Sequence, residues 1–434
     1  MIRHPSSSAT SDISDVTVIG GGAIGLFTAL ELQDRGLAVR LIEPDEPGGP
    51  QAASYGNGTW INEGAIMPIS LPGLWKAVPG YLRDPTGPFV IRWRYLPRLM
   101  PWLFRFVFAG RSWARVERDI PARIALLRGA VANYETRAVE AGIETLLGAR
   151  GILAIYRSEA EFEADRKAWS LRDHYGIECT FHRGEDLYRL VPELSRDYRI
   201  GARILPSLSL LDPGAFCQGL ATHFIRRGGR VVRARATGFV KNADRLRAVK
   251  TTRGEVACSH AVISAGIGSD LLARQLGDKV PMIAERGYHI VLRDCPIRPR
   301  LSLMPAEGKM AVASTRAGLR LAGQVELAAQ NAAADWDRAR IQLHYAARMF
   351  PQAAQAILHG QHDMWMGNRP STPDSLPVIG HSSGCRDVIH AFGHGHTGMV
   401  MAPASARLVA DLVTNRVPGC NPFPYLVQRF RHVT

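Results

Sequence analysis

Short β-branched runs alternate with longer stretches in which apolar residues recur at helical spacing. Val16-Thr17-Val18-Ile19 reads as a buried parallel strand. Leu26 to Arg35 reads as a helix with Ala29, Leu30 and Leu32 on its apolar side, stopped by Gly36. Ala38 to Ile42 reads as a second strand. The same alternation returns near the other end, with a strand at Val388–Phe392 and a helix at Met399–Val413. Between them the pattern predicts a helix over Pro213–Arg227 and strands at Val231–Ala236, Ala261–Ala265, Gly151–Arg157, Tyr288–Leu292 and Met310–Ala313. A long helix is expected over Ala122–Ala141, and Pro101 is expected to open a shorter one. No solenoid repeat or low-complexity linker interrupts the chain.

Composition narrows the class. The chain has 434 residues, 46% hydrophobic and 21% charged, which excludes a disordered or fibrous protein. No uncharged apolar run approaches the roughly 18 residues of a spanning helix. Met1–Asp15 is polar and Ser-rich, unlike a secretory signal, and residues 1–13 are expected to be a disordered leader. None of the six cysteines forms a CxxC pair, which argues against a disulfide framework and fits a cytoplasmic setting. The net charge is +14, and only six of the bases are Lys. Half of that charge, +7, lies between Arg83 and Arg128, where ten Arg face only Asp84, Glu117 and Asp119. Eight aromatics lie in that segment, from Phe89 to Trp113.

Chemistry enters at Gly20-Gly21-Gly22-Ala23-Ile24-Gly25, a GxGxxG between the first strand and its helix. Gly20 permits the tight turn, Gly22 lets backbone approach a pyrophosphate, and Gly25 lets helix and strand pack closely. The helix start at Ala23 and Ile24 offers unpaired N–H groups to phosphates. Glu43, at the end of the second strand, can accept from ribose hydroxyls and argues against a 2′-phosphate. This predicts dinucleotide binding, and the motif alone leaves FAD and NAD open.

A second glycine turn, Gly393-His394-Gly395-His396-Thr397-Gly398, sets another helix N-terminus against a ligand. His394 and His396, with His390, invite a metal reading. No carboxylate cluster accompanies them, and the glycines suit close backbone approach better, so no metal site is expected. Upstream, Pro370 and Pro373 stiffen the Trp365–Gly380 segment around Arg369. A fixed guanidinium suits bidentate capture of a carboxylate, or a structural ion pair.

These pieces together resemble the D-amino-acid oxidase superfamily of FAD-dependent oxidoreductases. Within it the chain looks most like bacterial D-amino-acid and D-hydroxyproline dehydrogenases. The resemblance is carried by the GGGAIG turn, Ala53–Gly58, Val262–Gly266, Glu285–His289, Gly318–Gly323, Trp365–Gly380 and the GHGHTG turn. Of these, the WxGxRPxTPDxLPxIG string is the most specific.

The resemblance implies an α/β fold: a discontinuous Rossmann-like FAD domain with a mixed-sheet α+β substrate domain. It implies noncovalent FAD and oxidation of an amine beside a carboxylate. By position, Arg369 takes the carboxylate. Ser54, Asn57 and Gly58 run under the flavin, Ala236 meets adenine, and Ala265 and Gly266 lie near the dinucleotide. Gly395, Thr397, Gly398 and Met399 face the flavin pyrimidine. The wording of the last turn departs from the commonest dehydrogenase form.

The FAD domain is expected at 14–90, 212–284 and 372–434, and the substrate domain at 91–211 and 285–371. Tyr288 and His289 point to opposite faces of a strand, and one of them should line the pocket. Arg320 is a second cationic candidate, or a partner for Glu326. The aromatic, Arg-rich stretch 93–113 suits a membrane interface, or packs as an ordinary surface helix. The resemblance favours a quinone or respiratory-chain acceptor at the inner face of the cell membrane. An oxygen-using glycine or sarcosine-type oxidase, a tRNA-modifying flavoprotein and a noncatalytic flavin subunit stay open as alternatives. No nucleic-acid partner is expected, since no RNA-binding module accompanies the flavoprotein pattern.

Overall fold

A computed structural model describes residues 14–74 and 87–431. The expected leader 1–13, Arg83 and Asp84 lie outside the described residues.

Two sheets organise these residues. The first runs in the order Val378–His381, Val388–Phe392, Gly254–Ile263, Ser14–Ile19, Val39–Ile42, Arg230–Val232. Its strands are parallel except Val378–His381, which turns back on Val388–Phe392. Strands Ala236–Asn242 and Arg245–Thr251 continue it as an antiparallel meander from Gly254–Ile263. Val16, Val18, Val262 and Ile389 are fully buried. A parallel sheet covered on both faces needs such apolar runs, and that is why the sequence lacks alternation there. Helices Ala23–Asp34, Pro213–Arg226 and Gly398–Val413 cover one face, and the meander with helix Ser269–Gln275 covers the other.

The second sheet has ten strands, in the order His362–Ser371, Ile283–Leu292, Gly318–Leu327, Ala311–Thr315, Ser302–Pro305, Leu147–Tyr156, Ile200–Leu210, Trp60–Asn62. Phe89–Ile91 pairs with Gly318–Leu327, and Cys179–Arg183 with Ile200–Leu210. Ile283–Leu292 and His362–Ser371 stay in unbroken antiparallel register from Ile283/Ser371 to Leu292/His362. Pro370 is tolerated inside this ladder because His362–Ser371 is the edge strand.

Several sequence expectations change. The single helix over Ala122–Ala141 is two helices, Trp113–Leu127 and Ala130–Ala141, broken where Gly129 takes φ 76°. The helix expected to open at Pro101 spans Leu96–Ala109 instead, with Pro97 in its first turn and Pro101 inside. The strand over Val231–Ala236 divides into Arg230–Val232 and Ala236–Asn242. Trp60–Asn62, inside the expected FAD segment 14–90, and Phe89–Ile91, across its boundary with the expected substrate segment, are strands of the second sheet.

Candidate active site

A cavity of about 1340 Å³ runs between the two sheets. Ordinary small-molecule sites hold roughly 300–1,000 Å³, so this one has room for a dinucleotide and a small second ligand.

One end is built by the first glycine turn. Gly20 sits at φ 110°, and a Cβ there would fall 2.5 Å from Ser264 O. A Cβ on Gly25 would fall 1.8 Å from Gly20 O, so Gly25 serves the close packing of helix on strand and does not line the cavity. Gly22 differs: a Cβ there meets nothing nearer than Ser54 Oγ at 3.6 Å. The protein leaves that space open beside the N-terminus of helix Ala23–Asp34, which has no side-chain cap. Glu43 accepts from Gly21 N at 2.7 Å and from Asp45 N and Gln51 Nε2 at 3.3 Å. Burial pushes its carboxyl up, against those donors. Gly20, Gly22, Ala23, Ile24, Glu43, Ser54, Asn57, Gly58, Ala236, Ala265 and Gly266 all line the cavity.

The second glycine turn builds the other end, where Gly395, Thr397, Gly398 and Met399 line the wall. Helix Gly398–Val413 starts there, again without a side-chain cap. The three histidines diverge. His390 Nε2 meets Asp278 at 2.8 Å, His394 Nε2 meets Ser405 Oγ at 3.0 Å, and His396 Nε2 bonds Glu285. Burial pushes the His394 imidazole down to about 3, so it is neutral.

Arg369 lines the cavity between the two ends. Its Nη1 donates to Gln324 O at 3.1 Å. Gln324 is a bulge residue at φ 60°, and the register slips beside it between Arg286 and Tyr288. Bulges re-aim side chains, and this one offers its carbonyl to the guanidinium. Burial pushes Arg369 down, and the charge of Glu285 opposes that. Burial raises the Glu285 carboxyl, but His396, Arg369 and the Ser371 hydroxyl overcome it and hold it at about 2.

The other residues expected to be catalytic stand elsewhere. Tyr288 faces away from the cavity, where its hydroxyl donates to Glu326 Oε2 at 2.5 Å and accepts from Asp335 N at 3.0 Å. Glu326 there also pairs with Arg286 at 3.1 Å and with Arg92 at 2.5 Å. His289 is on the cavity side of its strand but behind the lining. It stacks on Trp365 with ring centroids 5.1 Å apart, and its Nδ1 is 3.5 Å from Gly56 O. Burial and the Arg320 charge push it down to about 3. Arg320 pairs neither with ligand space nor with Glu326. Its Nη1 donates to Tyr55 O at 3.3 Å and Asn57 O at 3.0 Å, which fixes the 53–58 loop from behind.

Sequence reasoning missed Glu285, Gln324, Trp365 and Trp102 as cavity residues, and weighed His396 only as a metal ligand. Trp102 belongs to helix Leu96–Ala109, whose Trp102, Leu103 and Phe106 roof the cavity. Trp102 Nε1 donates to Ser371 O at 3.2 Å and its ring stacks on Phe106. The opposite side of this segment is open, with Trp93 64% and Phe104 68% exposed. Arg111 and Arg115 lie over the Phe108 ring at 4.1 and 4.4 Å. Among the described residues no helix is long and apolar enough to cross a membrane.

A parallel sheet with two uncapped helix ends and a glycine cradle on one long cavity defines a dinucleotide-dependent oxidoreductase. The chain belongs to the DAO family of FAD-dependent oxidoreductases, whose family model matches residues 15–412. It is 40% identical to a D-amino-acid oxidase of Bradyrhizobium diazoefficiens, over 96% of this chain and 98% of that one. It is 30% identical to a D-amino acid dehydrogenase of Paramagnetospirillum magneticum, over 92% and 95% of the two chains. Among solved structures it resembles an L-proline dehydrogenase from P. horikoshii, with TM-score 0.74, 19% identity and coverage of 96% and 98%. It also resembles glycine oxidase from Geobacillus kaustophilus, with TM-score 0.72, 19% identity and coverage of 97% and 99%. The family and the α/β FAD fold inferred from sequence motifs are thus met. The cavity residues fit the cofactor: Gly22 leaves the pyrophosphate space open, and Asn57 Oδ1 and Trp60 Nε1 are buried in the wall without a partner.

Proposed function

We propose that this enzyme oxidises D-amino acids to imino acids, cyclic ones such as D-proline and D-hydroxyproline among them. The carrying observation is Arg369, a guanidinium on the wall of the cavity that also holds both nucleotide-type glycine turns. It pins the substrate carboxylate, and that fixes which Cα–H faces the ring system; such orientation can be worth several kcal/mol. Bound FAD would supply the two-electron sink for the hydride that leaves Cα. The uncapped N-terminus of Gly398–Val413 favours the negative charge that reduction brings. Trp102, Phe106 and Ile91 give the substrate side chain an apolar wall and exclude water. The names of the two relatives support the D-amino-acid reading.

Electrons then pass to a quinone or another respiratory acceptor, at the inner face of the cell membrane. The exposed aromatic and Arg-rich face around Trp93, Phe104 and Phe108 supports membrane contact there. A second reading, use of oxygen, is favoured by the relative named an oxidase.

Anaerobic addition of D- and L-amino acids, prolines and hydroxyprolines to the yellow holoenzyme tests the assignment. Bleaching by D-substrates alone is expected, and bleaching by none of them would overturn it. Air then separates the acceptors: slow return of the yellow marks a dehydrogenase, and fast return an oxidase.

A further inference from the structure

We propose that His396 takes the proton from the substrate's ammonium group, with Glu285 holding its imidazole in the accepting tautomer. This rests on the amino-acid reading above and adds a base to it.

An amino acid arrives as a zwitterion. Hydride can leave Cα only when the nitrogen lone pair is free to form the C=N bond, so a proton must depart first. The site provides for the carboxylate at Arg369. Glu285 is the cross-strand partner of Arg369, and it bonds His396 on the facing turn. The substrate nitrogen is two bonds from the carboxyl carbon, so a carboxylate held at Arg369 brings it to this part of the wall.

His396 is built as an acceptor. Its Nε2 faces Glu285, which is also fixed by Ser371 Oγ at 2.7 Å. In the neutral imidazole, a carboxylate on one ring nitrogen places the proton there and leaves the other nitrogen bare. That other nitrogen, Nδ1, has no hydrogen bond among the described residues, and the side chain is 28% accessible on the cavity. In the step the ammonium N–H bond breaks, the proton bonds to Nδ1, and the electron pair stays on the substrate nitrogen. The imidazolium so formed lies against the Glu285 carboxylate. Other titratable groups facing His396 are few. Arg369 comes from the edge strand, His394 of the same turn is directed to Ser405, and residues 398–405 carry no titratable side chain.

A merely structural tie between turn and strand would also use this pair, so the test reads more than activity. Anaerobic bleaching of the holoenzyme by D-alanine or D-proline is followed against pH for the wild type, His396→Gln and Glu285→Gln. The expected loss in His396→Gln near pH 7 is about 10²-fold. The remaining rate should rise about tenfold per pH unit, following the free amine. FAD content should be unchanged. Nitrogen NMR of the resting holoenzyme should show Nδ1 of His396 unprotonated, with the tautomers mixed in Glu285→Gln. A wild type that is bleached while His396→Gln keeps its rate and pH profile would overturn the proposal and leave the substrate assignment standing. A wild type bleached by no amino acid would overturn both. Should a variant lose its FAD, the wild-type NMR decides alone, and a protonated Nδ1 overturns the proposal.

Discussion

Glu285 and Arg369 are cross-strand partners, so a buried carboxylate and a guanidinium stand side by side on the cavity wall. The space for the guanidinium comes from Gly287. A Cβ at that position would lie 2.1 Å from Arg369 Nη2. Glycine there serves the position of the arginine and needs no special backbone angle.

Two substitutions therefore ought to converge. Arg369→Leu removes a charge-assisted contact worth about 1.5–3 kcal/mol, so KM for the amino acid should rise about 10- to 100-fold. Gly287→Ala pushes the guanidinium aside without changing any charge, and its KM should move in the same direction. The visible spectrum should show full FAD in both. Steady-state kinetics with the best D-substrate checks this, and an unchanged KM in Arg369→Leu would remove the arginine from substrate binding.

The first glycine turn separates fold from cofactor. Gly25→Ala puts a methyl 1.8 Å from Gly20 O, a clash between backbone elements. The protein should lose about 1–3 kcal/mol or more, seen in denaturant unfolding of the apoprotein. Gly22→Ala meets only Ser54 Oγ at 3.6 Å, so the apoprotein should unfold as the wild type does. Its methyl stands in the space left for the pyrophosphate, and FAD affinity should drop at least tenfold by fluorescence titration. Equal FAD affinity in Gly22→Ala would show that the open space is not used.

That contrast also explains what the sequence made legible. Glycine turns answer backbone demands that follow directly from residue type, so Gly20, Gly22, Gly395 and Gly398 were readable as cavity residues, while Ser54 and Asn57 came only with the family resemblance and His396 was missed. The strand Ile283–Leu292 is buried on both faces throughout. Its alternation therefore carries no polar phase to tell which parity meets the cavity. Glu285 and Gly287 do, and Tyr288 does not. Gln324 hides the rest: its bulge turns Glu326 to the far side, toward Tyr288 and Arg286, where simple alternation would have kept it with Arg320. The proline at 101 misled for a similar reason, since Pro97 already occupies the helix start.

Acid stability follows from the buried histidines. His289 and His394 are both held down to about 3 by burial, against an ordinary value of 6.5. Between those values the unfolded chain binds more protons than the native one, so stability is full above about pH 6.5 and falls as pH drops toward 3. Glu285, held at about 2 against 4.5, adds to the loss only below about pH 4.5. Melting temperature should therefore begin to fall near pH 6, before carboxylates titrate. His394→Gln can still bond Ser405 and should flatten the slope between pH 6 and 4. An unaltered slope would mean that His394 is not neutral inside the native fold.

Helix Leu96–Ala109 has two jobs to reconcile, because Trp102 and Phe106 roof the cavity while Phe104 looks outward. Phe104 and Trp93 are 68% and 64% exposed, a cost that a purely internal role would not require. Burying one such side chain in a lipid interface gains about 1.5–3 kcal/mol, and each nearby Arg adds about 1 kcal/mol at an anionic surface. Vesicles rich in anionic lipid should therefore sediment the protein, and neutral vesicles should do so at least tenfold less well. Raising salt to about 0.5 M should release it, since the screening length shortens to a few ångströms. Phe104→Asp should weaken vesicle binding at least tenfold and leave anaerobic bleaching unchanged, because its side chain does not line the cavity. Because Trp102 on the same helix lines the cavity, docking at Phe104 would set the roof of the site against the membrane, where the proposed quinone acceptor would be met. Equal recovery of wild type and Phe104→Asp on both kinds of vesicle would leave this face an ordinary surface, and the acceptor would have to be sought in solution.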